Sequence, residues 1–336
     1  MTAAGRDAAP EAAGGSGNAA GRGPAPAGGG FLGTPTGLVA GALACCLLWG
    51  SAVPGVAVGY GLFGIPGGAA GGQMVFAGVR FALAGACILA GWSLRNRRLP
   101  RLGAHGTVDA AKLCLTWTVG QYTCYYLGLA HATGVSASLI QGLEVFTALV
   151  VGACVFHSEP LTARKVAGSL VGVGGLALFN WGGAMGFSLD GEGLLALATV
   201  FAAVASVLAS RYSRRSDPVL LAGWQFVMGG AVLWAVGAAL GGGLAPSGPA
   251  AWGVLAWLVA VSAVAYTVWS VLLATHPVSS VVVYSFTLPI FGVTMSLLTL
   301  GDQGHPLGVV ALASIAVVCL GIWLVETPAR RGRTSG

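Results

Sequence analysis

The sequence predicts an all-α membrane protein with ten transmembrane helices, arranged as two inverted five-helix repeats. Of its 336 residues, 56% are hydrophobic and 8% are charged, and the mean hydropathy is +0.83. A soluble domain carries about 25% charged residues. Ten apolar runs are each long enough for a bilayer, which needs about 20 residues per helix. Short sequence matches also recur in the same order in the two halves of the chain.

This composition excludes several classes of protein. An ordinary soluble enzyme contains a larger fraction of charged residues than this chain does. A disordered chain needs low hydrophobicity and high net charge. The 56 glycines have no three-residue period, which excludes collagen. Backbone groups inside a bilayer must bond within their own segment, so apolar runs without strand alternation predict helices.

The ends of the chain are expected to be cytoplasmic tails. Residues 1–34 are rich in Gly, Ala, Pro and Ser, which predicts a disordered tail, and residues 327–336 form a basic tail. Met1 has no apolar stretch beside it, so we expect the first apolar run to be an uncleaved span rather than a signal peptide.

The two repeats are expected over residues 37–181 and 191–326. Turn-forming sequences such as Pro66-Gly67-Gly68 and Ser158-Glu159-Pro160 separate the spans. The first repeat is expected to contain spans at 37–59, 70–94, 107–130, 134–157 and 163–181. The second is expected to contain spans at 191–211, 218–240, 250–274, 278–300 and 306–326.

Charge predicts the orientation of these spans. With both termini in the cytoplasm, every Lys and Arg except Arg80 falls in cytoplasmic loops, tails or span ends, while Asp190, Glu192 and Asp302 fall outside. The positive-inside rule therefore favours ten spans in a plasma (inner) membrane. It also explains the net charge of +6 without nucleic acid.

The halves of the chain match at several points. Residues 80–86 align with residues 225–231, so that Phe81 corresponds to Phe226 and Gly85 corresponds to Gly230. Because five is an odd number of spans, a repeated five-span unit must be inverted. Inverted repeats are typical of transporters that expose a midplane site to each side in turn. Chance similarity between apolar helices is the alternative.

The ordered set of motifs resembles the drug/metabolite transporter superfamily, specifically EamA-type permeases, over about residues 37–326. The resemblance implies a ten-helix inverted-repeat bundle that moves small metabolites, often as an exporter. The sequence departs from the family where Glu144 stands in place of a usual Pro, and where Asp302 stands in place of a common Glu. The motifs are Leu48-Trp49-Gly50-Ser51, Val79-Arg80-Phe81, Gly134-Val135-Ser136-Ala137-Ser138, Phe146-Thr147-Ala148-Leu149, Ser158-Glu159-Pro160-Leu161-Thr162, Ala265-Tyr266-Thr267-Val268-Trp269 and Leu288-Pro289-Ile290-Phe291.

Two charged residues lie deep in predicted spans. Arg80 and Glu144 each cost roughly 2.5–3.5 kcal/mol in a bilayer centre, so such residues normally face a bundle interior or a watery cavity. Both lie about 15 Å from the same membrane surface at 1.5 Å per helical residue. Glu144 is a candidate protonatable or amine-binding site, with Arg80 as its partner or as a carboxylate anchor. The alternative is a fixed ion pair that joins spans 2 and 4.

Further polar and aromatic residues are expected to line a substrate site, which needs apolar walls and a few hydrogen-bonding groups. Polar contacts that only join helices are the alternative for each of them. Pro289 should interrupt span 9, and broken helices line binding sites in many transporters. The full set of candidate binding or coupling residues is Glu144, Arg80, Gln141, Gln121, Tyr125, Trp49, Tyr266, Trp269, Tyr284 and Pro289.

These residues favour a secondary transporter that moves an amino-acid-like metabolite or an amphipathic drug by alternating access. The sequence has no Walker motif, so a proton or substrate gradient is the expected energy source, and export is favoured over import. A structural or regulatory membrane subunit and an intramembrane transferase are the alternatives. We expect no enzyme activity, cofactor, metal or nucleic-acid partner. A homodimer is compatible with the sequence, and the Ala-rich, Arg-rich composition suggests a bacterial source.

Overall fold

The computed structural model describes residues 30–129, 131–132, 134–179, 188–300 and 309–326. Most of the expected tails, Asp302 and the residues around it therefore lie outside the described residues. Within the tail expected over residues 1–34, Phe31–Gly33 form a short 3-10 helix. Every regular element in the described part of the chain is helical.

The described helices form ten continuous runs. In the first half these are α1 (Pro35–Leu62), α2 (Ala70–Asn96), α3 (Ala104–Leu113, the π-helical Cys114–Gly120 and Gln121–Leu129), α4 (Gly134–Val150 and the π-helical Val151–Val155) and α5 (Ala163–Phe179). In the second half they are α6 (the π-helical Leu189–Gly193 and Leu194–Tyr212), α7 (Pro218–Ala239), α8 (Pro249–Thr275), α9 (Val278–Val282, the 3-10 Val283–Thr287 and Leu288–Leu300) and α10 (Val309–Glu326).

Six of these runs are long and apolar enough to cross a membrane by length and composition. They comprise most or all of α1, α2, α6, α7, α8 and α9. Shorter apolar helices cover Leu139–Val155 in α4 and Leu312–Glu326 in α10. The expectation of ten spans is therefore met in part by this criterion. Polar groups such as Asp109, Lys112 and Gln121 lower the hydropathy of α3.

Helix starts follow local chemistry. The Thr34 hydroxyl accepts a hydrogen bond from the Gly37 amide at 3.0 Å, and Pro35 opens α1. Asp217 caps α7 in the same way, accepting from the Val219 amide at 2.8 Å, and Pro218 follows it. A side-chain acceptor before a proline satisfies free amides at the first turn, which fixes where each helix begins.

The centre of the bundle is a close crossing of α2 and α7. A Cβ added to Gly78 would lie 2.5 Å from the Trp234 amide nitrogen and 2.7 Å from the Gly230 carbonyl oxygen. A Cβ at Gly85 would lie 2.6 Å from the Gly223 carbonyl oxygen. Lipid is as apolar as a leucine side chain, so helices in a membrane gain contact mainly by bringing backbones together at small residues.

A second close crossing joins α5 to α10. A Cβ at Gly168 would lie 2.9 Å from the Gly321 carbonyl oxygen, and one at Gly175 would lie 3.2 Å from the Ser314 carbonyl oxygen. Between the two crossings, α1 packs against α8 and α9, while α6 packs against α3 and α4. The interior of the bundle is therefore shared by elements of both halves.

The bundle has two chemically different ends. At the basic end, defined by the loops over 97–103, 156–162, 213–217 and 276–277, Arg215 binds both oxygens of Asp109 at 2.6 and 2.8 Å. The Trp92 indole donates to Asp217 there at 2.9 Å. At the opposite end, the Ala245 amide donates to the Phe63 carbonyl at 3.0 Å.

The α2–α7 crossing predicts a specific effect of one methyl group. Alanine is favoured over glycine in a helix by about 1 kcal/mol, whereas overpacking costs about 1–3 kcal/mol. At Gly78 the new methyl would meet backbone atoms, which have no rotamer to change. We expect Gly78→Ala to destabilise the protein by about 1–2 kcal/mol in thermal unfolding in detergent.

Gly91→Ala is the matched control, because Gly91 lies in the same helix and has nothing within 4 Å of its added Cβ. This variant should unfold at or slightly above the wild-type temperature. Equal shifts for both variants would contradict close backbone contact at Gly78.

Candidate functional site

A cavity of about 380 Å³ lies between the two halves of the bundle. Its volume is within the range of about 300–1,000 Å³ that is typical of small-molecule sites. The wall residues on α1 run from Trp49 to Tyr60, and those on α3 run from Trp117 to Leu129. Both sets lie in the second half of their helix. This central cavity therefore lies toward the end of the bundle opposite the basic end.

Nine of the ten candidate residues line the central cavity. They are Trp49, Arg80, Gln121, Tyr125, Gln141, Glu144, Tyr266, Trp269 and Pro289. Their roles in binding or coupling stay predictions, but the fold places them around one space.

Tyr284 is the exception among the ten. Its side chain is buried at 3% exposure and is not part of the cavity wall, whereas the neighbouring Ser285 is. Both lie in the 3-10 stretch Val283–Thr287, which directly precedes Leu288 and Pro289. A 3-10 helix has three residues per turn, and in this stretch Ser285 rather than Tyr284 faces the cavity. This 3-10 stretch interrupts α9 directly before Leu288 and Pro289, where Pro289 predicts a break in the helix.

The two deep charges do not pair with each other. In the described part of the chain the salt bridges are Lys165–Glu159 and Arg215–Asp109, so the fixed Arg80–Glu144 ion pair considered from the sequence is absent. Arg80 is 7% exposed, and its guanidinium carbon lies 4.4 Å from the centre of the Phe81 ring. Equal depth along two helices is necessary for a pair but does not make the side chains meet.

Several polar atoms on the cavity wall have no hydrogen-bond partner among the described residues. These are the Trp49 Nε1, Arg80 Nε and Gln121 Oε1 atoms. Buried polar groups in native proteins are almost always satisfied by protein, water or ligand. Trp49, Arg80 and Gln121 share the cavity wall with Glu144, so polar and charged residues from four helices surround one space.

Four aromatic rings from both halves of the chain pack against one another beside the central cavity. The hydroxyl oxygens of Tyr122 and Tyr266 are 2.6 Å apart, which joins α3 to α8. Phe81 stacks on Phe226 with ring centres 4.9 Å apart, which joins α2 to α7. Phe81 also contacts Tyr122 at 4.6 Å, so the four rings form one cluster across the two halves.

The position of Gln225 on α7 corresponds to Arg80 on α2 in the sequence alignment. The Thr118 hydroxyl donates to its Oε1 atom at 2.6 Å, and its Nε2 atom has no partner among the described residues. Gln225 is not part of the cavity wall, so the two corresponding positions have different surroundings.

Several wall residues were not among the sequence candidates. Tyr60, Trp117, Tyr126, Ser206, Ser262 and Ser285 also line the central cavity. A signal existed for Ser262, which lies four residues before Tyr266 and therefore on the same helix face. No comparable signal distinguished Tyr60, Trp117 or Ser206 from aromatic and small residues elsewhere in the bundle. No group of His, Cys, Asp or Glu that could hold a metal occurs in the part of the chain described.

Glu159 joins several elements at the basic end. Its Oε2 atom accepts from Lys165 Nζ at 2.7 Å and from the Ser279 hydroxyl, and its Oε1 atom accepts from the Ser279 amide at 3.2 Å. Burial alone would raise the pKa of Glu159, but the hydrogen bonds from Lys165 and Ser279 and the Lys165 charge outweigh it, so its pKa is lowered. Glu159 thus joins the α4–α5 loop to the start of α9.

The described helices are those of a multi-pass membrane protein. Residues 190–327 match the EamA-like transporter family, which supports a membrane transporter. The second half of the chain is thus similar to that family, and the resemblance predicted from the sequence motifs is confirmed.

Two relatives of the chain are similar in sequence, and one of them is described as a transporter. An uncharacterized transporter of Synechocystis sp. is 28% identical over 270 residues, covering 65% of this chain and 78% of the relative. A chloroplastic WAT1-related protein of Arabidopsis thaliana is 32% identical over 128 residues, covering 32% of this chain and 30% of the relative.

Solved structures support the fold. One crystal structure, 19% identical in sequence, matches 87% of this chain and 97% of its own chain with a TM-score of 0.69. At this identity the likeness shows the fold alone.

The lowered pKa of Glu159 predicts a pH dependence of stability. A carboxylate with a lowered folded-state pKa stabilises the fold above its ordinary value of 4.5, and this contribution is lost as the pH falls through the lowered pKa. At pH 7 we expect Glu159→Gln to be less stable than wild type by about 1 kcal/mol. Thermal unfolding in detergent at a series of pH values should show the two proteins converging below pH 4.5. A stability difference that does not change with pH would show that the Glu159 charge is not responsible.

Proposed function

We propose that this chain is a secondary transporter that moves an amino-acid-like metabolite or an amphipathic drug by alternating access. The observation that carries the proposal is the pair of uncompensated charges, Arg80 and Glu144, on the wall of one membrane-embedded cavity. Unpaired charges are costly at this depth and normally mark a substrate or ion pathway. Arg80 would bind a carboxylate, and Glu144 would bind an amine or a proton.

Alternating access rests on a proposed pair of inverted repeats, 37–181 and 191–326. The alignment that matches Arg80 with Gln225 also matches Gly78 with Gly223 and Gly85 with Gly230. In the α2–α7 crossing, Gly78 approaches Gly230 and Gly85 approaches Gly223. Corresponding residues thus exchange places, as a two-fold axis through the crossing requires.

Contacts between other helices support the same axis. The axis would exchange α1 with α6, α3 with α8 and α4 with α9. The contacts of α1 with α8 and α9 then correspond to those of α6 with α3 and α4, and all four occur. Phe81 and Phe226, which correspond in the alignment, stack on each other. A pseudo-symmetric bundle has two related ways to close, one at each end, which is the basis of alternating access.

The proposed setting is a bacterial plasma (inner) membrane, with both termini in the cytoplasm. The positive-inside rule supports this orientation, because the basic end then faces the cytoplasm and the central cavity lies toward the outside. Export driven by inward proton movement is the proposed direction. The tail boundaries and a homodimer stay predictions.

Proton coupling through Glu144 predicts the effect of one substitution. In proteoliposomes with an imposed pH gradient, wild-type protein should accumulate a panel of amino acids and cationic drugs. Glu144→Gln removes the exchangeable proton while keeping the shape, so gradient-driven accumulation should fall at least about tenfold. Asp190→Asn is the matched control, because Asp190 is an exposed carboxylate at the start of α6 and does not line the cavity. Equal accumulation by wild type and Glu144→Gln would remove Glu144 from the coupling mechanism.

Arg80 predicts selectivity among substrates. Arg80→Gln places at this position the residue found at the corresponding position 225. Loss of a charge-assisted hydrogen bond should raise the KM for carboxylate-bearing substrates about tenfold or more, with little change for substrates that are only cationic. The measurement is initial uptake against concentration, with Arg98→Gln in an exposed loop as control. A KM change shared by both substrate types would argue against a carboxylate contact.

A further inference from the structure

A second cavity of about 490 Å³ lies at the basic end of the bundle. Its wall is formed by the α4–α5 loop, the end of α6, the end of α8 and the start of α9. It shares no lining residue with the central cavity. The transport proposal above makes no use of this basic-end cavity.

The wall of the basic-end cavity is rich in nitrogen-bearing side chains. Arg211 and Arg214 from α6 and the following loop face it, together with His157 and His276. Glu159 is the carboxylate on the same wall, and both of its oxygens already accept hydrogen bonds from Lys165 and Ser279. The two arginine charges are therefore left without a counter-charge on the wall.

The two arginines are held differently. Arg211 donates to the Phe156 carbonyl oxygen, and its guanidinium carbon lies 4.8 Å from the centre of the Phe156 ring. Both contacts position the guanidinium without neutralising it. Arg214 has no salt bridge and no side-chain hydrogen bond in the part of the chain described.

The neighbouring Arg215 shows what a structural arginine looks like at this end. It binds Asp109 through two nitrogens, and Asp109 is 1% exposed. Arg214, one residue earlier, is exposed and lines a cavity instead. This contrast within one loop leaves the Arg214 guanidinium available to a ligand in the cavity.

The donors on this wall define the chemistry of the ligand. Guanidinium groups bind phosphate and carboxylate oxygens through several parallel hydrogen bonds. Ser210 adds a neutral hydroxyl to the same wall, whereas the Ser158 and Thr275 hydroxyls already donate to the Gly152 and Val271 carbonyl oxygens. We infer that the basic-end cavity is a binding site for an oxyanion, held by Arg211 and Arg214 between the α4–α5 loop, α6 and the α8–α9 junction.

An oxyanion at this site has two sources, a free phosphate or carboxylate ion and the phosphate of an anionic lipid headgroup. Full-length protein in maltoside detergent, which contains no phosphate, provides the direct test. Inorganic phosphate titrated at constant ionic strength should bind saturably to wild type by calorimetry. Arg214→Gln should raise the Kd for phosphate about tenfold or more, because the substitution removes a charge-assisted contact.

Arg95→Gln is the matched control, since it removes one positive charge from an exposed position of α2 outside the cavity wall. This variant should bind phosphate as wild type does. Arg211→Gln should also weaken binding, and Arg214→Gln has no structural partner to lose, so it keeps the test informative if Arg211→Gln unfolds. Absence of saturable binding in wild type, or equal weakening by Arg95→Gln, overturns the inference.

Lipid then identifies the source. If phosphatidylglycerol added to the micelles competes with phosphate, and competes less in Arg214→Gln, the site takes a lipid headgroup. If it does not compete while phosphate still binds, the site takes a free oxyanion. Both results are independent of transport, so they leave the proposed function to its own tests.

Discussion

Close backbone contact between α2 and α7 is the constraint on which the rest of the structure depends. Gly78, Gly85 and Gly230 allow the two helices to approach until a single added Cβ would strike backbone atoms. Without a hydrophobic force between helices in lipid, such contact is the main source of association. It brings the two halves of the chain together at their centres, and the Phe81–Phe226 stack and the Tyr122–Tyr266 hydrogen bond extend the joint to α3 and α8.

The central cavity lies beside this joint. Close contact between α2 and α7 runs from Gly71 beside Gly237 to Gly85 beside Gly223. Arg80 of α2 lines the cavity next to the Phe81 ring, and Glu144 of α4 lines the same cavity. At the basic end, Glu159 binds Ser279 and joins the loop after α4 to the start of α9. The proposed transport cycle requires the contacts around Glu159 to break when the central cavity is exposed to the basic end.

The sequence predicted the helical class, and nine of its ten candidate residues line the central cavity, because hydropathy, turn chemistry and intramembrane charge are local signals. It did not predict which side chains meet. Arg80 and Glu144 have similar depths, yet depth says nothing about rotation about each helix axis, and the two are unpaired in the structure. Tyr284 was a candidate because its side chain is amphipathic, and residue type alone does not show which residue of the 3-10 stretch faces the cavity. The Glu159–Ser279 contact joins residues far apart in sequence, so only the three-dimensional arrangement reveals it.

Alternating exposure of the central cavity is the central claim, and thiol accessibility tests it most directly. Ser285→Cys, placed on the cavity wall of a variant without native cysteines, would be treated with a membrane-impermeant thiol reagent from each side of the membrane. A second version would carry cysteines at positions 159 and 279, cross-linked to hold the basic end closed. We expect labelling from both sides before cross-linking and only from the side opposite the basic end afterwards. Labelling from the basic side that persists after cross-linking, or that never occurs without it, would contradict alternating access.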